Sequence, residues 1–173
     1  MKSRFFSDTA ILIYLALIQV ALHLATNLQG GYGIFRDELY YIACSKHLAA
    51  GYVDQPPFSL YVLALNRWLL GESLFALRFV PALIGGAVVF LSGLMARELG
   101  GRRFAQALSA FTAVICLAFL AAGTYYSMNC FDLLFWTLAA FFTILLIKTE
   151  KPAYWVVLGL VLGFGSLNKV GVL

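Results

Sequence analysis

Thr9-Ala-Ile-Leu-Ile-Tyr-Leu-Ala-Leu-Ile-Gln-Val-Ala-Leu-His-Leu-Ala-Thr-Asn-Leu28 decides the fold class. It lies in a run of 27 residues, bracketed by Asp8 and Arg36, without an Asp, Glu, Lys or Arg. A second such run, 28 residues long, separates Arg103 from Asp132. A helix needs about 20 predominantly apolar residues to cross a bilayer, and a barrel strand only about 10. Backbone polar groups in lipid must be satisfied internally, so only helices and closed barrels span it. Runs this long predict an all-α, polytopic membrane helix bundle. Composition agrees: the 173 residues are 62% hydrophobic and 12% charged, against roughly a quarter charged in soluble domains. A soluble fold of this size cannot hide that much apolar surface. A soluble enzyme, a disordered chain and a disulfide-stapled secreted domain are thereby excluded. The net charge of +4 comes with no Lys/Arg cluster in a folded basic patch, so no nucleic-acid partner is expected. Cys44, Cys116 and Cys130 form no CxxC pair, and their odd number argues against a disulfide framework.

About five spanning helices follow from the pattern. The first is Thr9 to Leu28, with Ser7 and Asp8 as helix-start residues. A cleavable signal peptide is the competing reading of this stretch, but the run is long and lacks a small-x-small cleavage site. The others are Leu74 to Leu99, Phe104 to Tyr126, Cys130 to Ile147, and one from Ala153 that is still helical in character at Leu173. Gly100-Gly101-Arg102-Arg103 and Lys148-Thr-Glu-Lys-Pro152 are tight connections. Gly159 and Gly163 form a GxxxG pair that permits close helix contact. Residues 29–73 form a long first outer loop. Within it, Gln29 to Ile34 is a glycine-rich exit and Phe35 to Ala50 a helix too polar to span. Phe58 to Leu70 is 13 residues, about 20 Å of helix. It is expected to lie in the interface with Tyr61, Arg67 and Trp68 at headgroup level; a short or steeply tilted core helix is the alternative.

Lys and Arg set the orientation. With the N-terminus inside, Lys2, Arg4, Arg97, Arg102, Arg103, Lys148 and Lys151 are inner, and Arg36, Lys46, Arg67 and Arg78 outer, with Lys169 near them. Asp37, Glu38, Asp54, Glu72 and Asp132 all fall outside. Ionisable groups at membrane level are functional candidates by default. Asp37 and Glu38 open a helix, where carboxylates are also simply favoured by the dipole. Asp54 precedes Pro56-Pro57, a turn that fixes its backbone, and Asp132 follows the hairpin around Ser127, where it could equally cap a helix. Lys169, about 24 Å up the last helix, either snorkels or reaches the acidic groups.

Phe35-Arg-Asp-Glu-Leu-Tyr-Tyr41, His47-Leu-Ala-Ala-Gly51 and Asp54-Gln-Pro-Pro57 together resemble the first outer loop of membrane-embedded glycosyltransferases. The resemblance is to the protein mannosyltransferases and lipid A aminoarabinose transferases, glycosyltransferase family 39 and its bacterial relatives. Glu72 to Arg78, Arg97 to Gly101, the Asp132 hairpin and Leu167-Asn-Lys169 extend it. It implies a C-type glycosyltransferase fold and a polyprenyl-phosphate-linked sugar donor, with a protein, lipid or glycan acceptor. It also implies catalysis by Asp37 supported by Glu38, and substrate contacts at Asp54, Asp132, Lys169 and Arg78. Lys169, with Arg78 as second candidate, would neutralise the departing phosphate. Where the aminoarabinose transferases carry Glu-Lys-Pro, this chain has Asp54-Gln55-Pro56, which lacks the phosphate-side cation and leaves a metal at Asp54 unsupported. No metal is therefore expected. Family members usually have more spanning helices, so the chain reads as an N-terminal part of such a domain. A multi-pass protein of a bacterial plasma membrane, with a cytoplasmic N-terminus, is the expected setting. The rival reading is a transporter or proton-coupled carrier using the outer carboxylates as a relay. It would want mid-membrane charges, which are nearly absent, and internal repeats, of which the sequence has none.

Overall fold

The computed structural model describes residues 7–29 and 33–172, and every described element is helical. Lys2 and Arg4, used in the orientation count, and Gly30 to Tyr32 of the glycine-rich exit lie outside the described residues. Helix α1 (Asp8–Gln29) is followed by α2 (Arg36–Ser45), α3 (Phe58–Leu70), the single turn α4 (Leu74–Leu77), α5 (Phe79–Glu98) and α6 (Arg103–Ile115). Then come α7 (Leu117–Thr124), α8 (Met128–Thr149), α9 (Ala153–Ser166) and a 3-10 turn, Val170–Val172.

Three stretches are long and apolar enough to cross a membrane: α1 and α8, each 22 residues, and the 25 residues of α4 and α5 together. Twenty-two residues make about 33 Å of helix, against a hydrocarbon core of about 30 Å. The third expected span is bent by 57° between α6 and α7 and makes a fourth crossing if the pair counts as one. Neither Pro nor Gly stands at this break. Cys116 is extended there (φ −66, ψ 115), and the two halves meet different stretches of α1. Ala110, Ala113 and Val114 of α6 pack with Val89 of α5 and Leu12 of α1, whereas Gly123 of α7 lies against His23 of α1. The expected fifth span is shorter than the sequence pattern suggested. α9 has 14 residues, about 21 Å, and ends at Ser166, so Lys169 follows the helix rather than riding on it.

The α1–α5 contact is close because glycines make it so. A Cβ on Gly86 would stand 2.6 Å from Val20 Cγ2 and 3.0 Å from the Ala16 carbonyl oxygen. Nothing lies within 4 Å of a Cβ built on Gly159 or Gly163, so among the described residues that GxxxG pair faces open space. At one end of the bundle, Lys148 Nζ bonds Glu98 Oε2 at 3.0 Å and Arg103 approaches Asp8 at 3.9 Å, tying α8 to α5 and α6 to α1. The opposite end carries α2, α3 and the segment between them. α3 matches its expected bounds and lays Leu60 and Leu63, both fully buried, into the core beside Tyr41, Tyr126 and Phe131. Its Trp68 and Tyr61 are exposed, while Arg67 turns inward to Ser45 Oγ (2.7 Å) and pairs with Glu72.

Candidate active site

The site is framed by a buried ion pair. Glu38 has no exposed surface, and the Arg78 side chain is 3% exposed. Arg78 grips both carboxylate oxygens, Nε to Oε1 at 2.9 Å and Nη2 to Oε2 at 2.8 Å. Oε1 also accepts the backbone N–H of Tyr126 and Oε2 that of Phe35, each at 2.8 Å. Arg78 Nη2 donates to the Gly33 carbonyl as well, at 2.8 Å. A charge taken out of water is tolerated only when paired and fully hydrogen-bonded, and this bidentate arrangement meets both conditions. It joins four pieces of chain: the approach to α2, α2 itself, the α4–α5 joint and the α7–α8 turn. Glu38 and Arg78, expected beside the chemistry, therefore face each other within the bundle and do not line the neighbouring cleft.

Asp37 stands one residue earlier, rotated about 100° around α2, and opens to a cleft of about 410 Å³. Arg36, Tyr40, Tyr41, Asp54, Gln55 and Met128 complete its lining. The Asp37 side chain is 46% exposed, and its Oδ1 accepts from Arg36 Nε at 3.1 Å. Tyr40 and Tyr41 follow Asp37 by three and four positions, the spacing that puts side chains on one helix face. Tyr40 donates to Asp54 Oδ1 at 2.6 Å, and this bond raises the phenol above its ordinary range. Tyr41 accepts the Met128 N–H at 3.1 Å, and burial pushes its phenol up to about 12. Gln55 is buried, with its Nε2 lacking a partner among the described residues. The proline turn is anchored behind the cleft by Phe58 N–H donating to the Leu167 carbonyl at 3.0 Å.

Asp132 lies one turn along α8 from Met128. It pairs with Lys169 at 3.4 Å, and Lys169 Nζ also donates to Asn129 Oδ1 at 3.1 Å. Asn168 Nδ2 donates to the Met128 carbonyl at 2.9 Å, so the segment after α9 is sewn to the start of α8. Asp132 Oδ1 is buried without a partner among the described residues. Of the residues singled out in the sequence, Asp37 and Asp54 thus share the cleft, and Asp132 and Lys169 pair with each other beside it.

Tyr40, Tyr41 and Met128 were not singled out. The i, i+3, i+4 spacing from Asp37 could have found the tyrosines, but nothing local marks Met128. Among the described residues no three His, Cys, Asp or Glu side chains gather as metal ligands. His23 is bonded to Gln19 at 2.9 Å inside the bundle. A larger cavity, about 680 Å³ between α5, α6 and α7, is lined almost wholly by apolar groups and contains no carboxylate or cation. Size alone would nominate it, but the groups able to move protons or meet a phosphate lie elsewhere.

The family of dolichyl-phosphate-mannose-protein mannosyltransferases matches this chain over residues 54–172. The matched stretch contains Asp54, Arg78, Asp132 and Lys169, and Asp37 and Glu38 stand just before it. No curated protein and no solved structure matches significantly. With well over half of its residues matched, and a helical membrane bundle around them, the chain belongs to the dolichyl-phosphate-mannose-protein mannosyltransferase family, glycosyltransferases that draw on polyprenyl-phosphate-linked sugars.

Proposed function

We propose that this chain carries the acceptor-activating face of a transferase. It moves a hexosyl or pentosyl group from a polyprenyl-phosphate donor to a protein, lipid or glycan acceptor at the outer membrane surface. The observation that carries the reading is the pair Asp37 and Asp54 in one open cleft, at the bundle end opposite the Lys148–Glu98 clasp. Asp37 accepts the proton of an acceptor hydroxyl or amine as that atom attacks the anomeric carbon. The new bond forms to the sugar while the bond from sugar to phosphate oxygen breaks, and polyprenyl phosphate leaves with the electron pair. Lys169, one helix turn from the cleft, supplies positive charge for that anion, as fixed cations do for charge that develops in a transition state. Asp54 and Asp132 bind substrate hydroxyls or hold Lys169. Glu38 and Arg78 contribute by fixing α2. No resident metal is assigned, because the cleft brings together only two carboxylates, Asp37 and Asp54.

The test is Asp37→Asn in the complete protein, assayed for transfer from polyprenyl-phosphate sugars. Loss of about 10²–10⁴-fold, the range for a positioned acid or base, with unchanged membrane insertion supports the reading. Transfer at the wild-type rate overturns it. Orientation is checked separately by labelling single cysteines placed at Val53 and Lys151 with a membrane-impermeant thiol reagent in intact cells; only position 53 should react.

A further inference from the structure

Asp54 sits on irregular, exposed chain between α2 and α3, yet its carboxylate has a defined place. Among the described residues, Tyr40 is the only side chain that hydrogen-bonds it, at 2.6 Å across 14 positions of sequence. The other arm of the same segment is stapled by a second tyrosine. Tyr52 Oη lies 2.9 Å from the His47 carbonyl and 3.2 Å from that of Cys44, and accepts the Ala49 N–H at 3.1 Å. Tyr52 N–H in turn reaches the Gln55 carbonyl at 3.1 Å. Tyr52 holds the fold of the segment, and what Tyr40 adds is the aim of one carboxylate. We propose that Tyr40 is a positioning residue of the transferase site, which confines the Asp54 carboxylate to the cleft it shares with Asp37.

The proposal rests on the transferase reading and extends it to a residue outside the matched stretch. Its physical basis is rotamer confinement. A free carboxylate on an exposed turn samples several staggered positions, whereas one bonded to a phenol on a helix face is held where a substrate meets it. The Tyr40 ring is itself on the cleft wall, and the charge-assisted bond is of the short, strong kind. Because Tyr40 is 43% exposed, its hydroxyl contributes little to the stability of the bundle. Its removal should be felt in the reaction.

The experiment is a double-mutant cycle in the full chain in native membranes, with dolichyl-phosphate mannose as the probe donor. Tyr40→Phe is expected to lower kcat/KM by about 10–100-fold, the scale of a misplaced group, at an unchanged melting temperature. In the Asp54→Asn background the same change should cost under about twofold, because the groups act as one unit. Multiplicative losses, or no loss in Tyr40→Phe, overturn the proposal. A readout independent of turnover runs beside the cycle: carbodiimide labelling of Asp54, followed by mass spectrometry, should quicken several-fold in Tyr40→Phe while Asp37 labels at its former rate. Equal Asp54 labelling in both proteins overturns the proposal as well. Retained transfer in Asp37→Asn would instead sink the transferase reading and leave the labelling result standing.

Discussion

Asp37 and Glu38 are neighbours in sequence with the same charge, and the fold sends them to opposite environments. Glu38 is sealed behind Arg78 and two backbone N–H groups, with four donors on its two oxygens. Asp37 keeps nearly half its surface open, and among the described residues its ion pair is with the exposed Arg36 of its own helix. One carboxylate is thus occupied by the architecture, and the other is left available to a ligand. The difference teaches that an acidic pair at a helix start is not one functional unit. The residue facing the bundle locks the helix, and that lock gives its neighbour a direction.

Breaking the lock should have the largest effect. Glu38→Ala strips the buried Arg78 of its carboxylate partner, which costs about 3–5 kcal/mol. Thermal melting in detergent should drop steeply, and transfer should be lost with it. The double variant Glu38→Leu with Arg78→Met should recover part of that stability but not all, since the buried Tyr126 N–H loses the carboxylate oxygen it donates to. Asp37→Asn should leave melting unchanged and remove activity, so the two substitutions separate on a plot of stability against rate. If both variants lose stability alike, the contrast between the neighbours is wrong.

Gly86→Ala comes next. It forces a methyl group against the Ala16 carbonyl and Val20, at about 1–3 kcal/mol, while Gly163→Ala should be silent in the same melting assay. Tyr126→Phe removes a bond from a fully buried hydroxyl to the Ser59 carbonyl at 2.6 Å. Its expected cost is about 1 kcal/mol, a small downward shift in the melting temperature. The mildest effect is on pH. Burial raises the Tyr41 phenol to about 12, so the folded state holds a proton that the unfolded chain releases near 10. This contribution is intact below about pH 10 and fades as pH rises through about 12. Tyr41→Phe should flatten that alkaline decline in a pH series of unfolding midpoints.

How much of this was legible beforehand depends on the range of the interaction. The bounds of α3 and the ends of α5 and α8 follow from local apolar runs and from breakers such as Gly100, whose φ of +90 suits glycine. No Pro or Gly marks the bend at Cys116, whose two halves lie against different stretches of α1, a helix remote in sequence. The chain after α9 likewise meets partners remote in sequence. Its apolar run ends at Leu167, where the chain turns so that Asn168 and Lys169 can reach Met128 and Asn129. In the site, Asp37 and Asp54 could be nominated from their own stretches. That Glu38 belongs to the scaffold could not, since its partner is 40 positions away and one of its donors 88.

Those 88 positions also carry a meaning in time. A ribosome adds about 5–20 residues each second, so the Tyr126 N–H follows Glu38 by on the order of 5–20 s. Throughout that interval the nascent loop has no finished seat for its glutamate, and the cleft has no Met128 wall. The seat of Glu38 and the Met128 wall therefore arrive together, with the hairpin leading into α8, and Lys169 joins the site later still. Insertion of that hairpin, rather than synthesis of the acidic loop, is the step at which Glu38 is locked and Asp37 gains its direction.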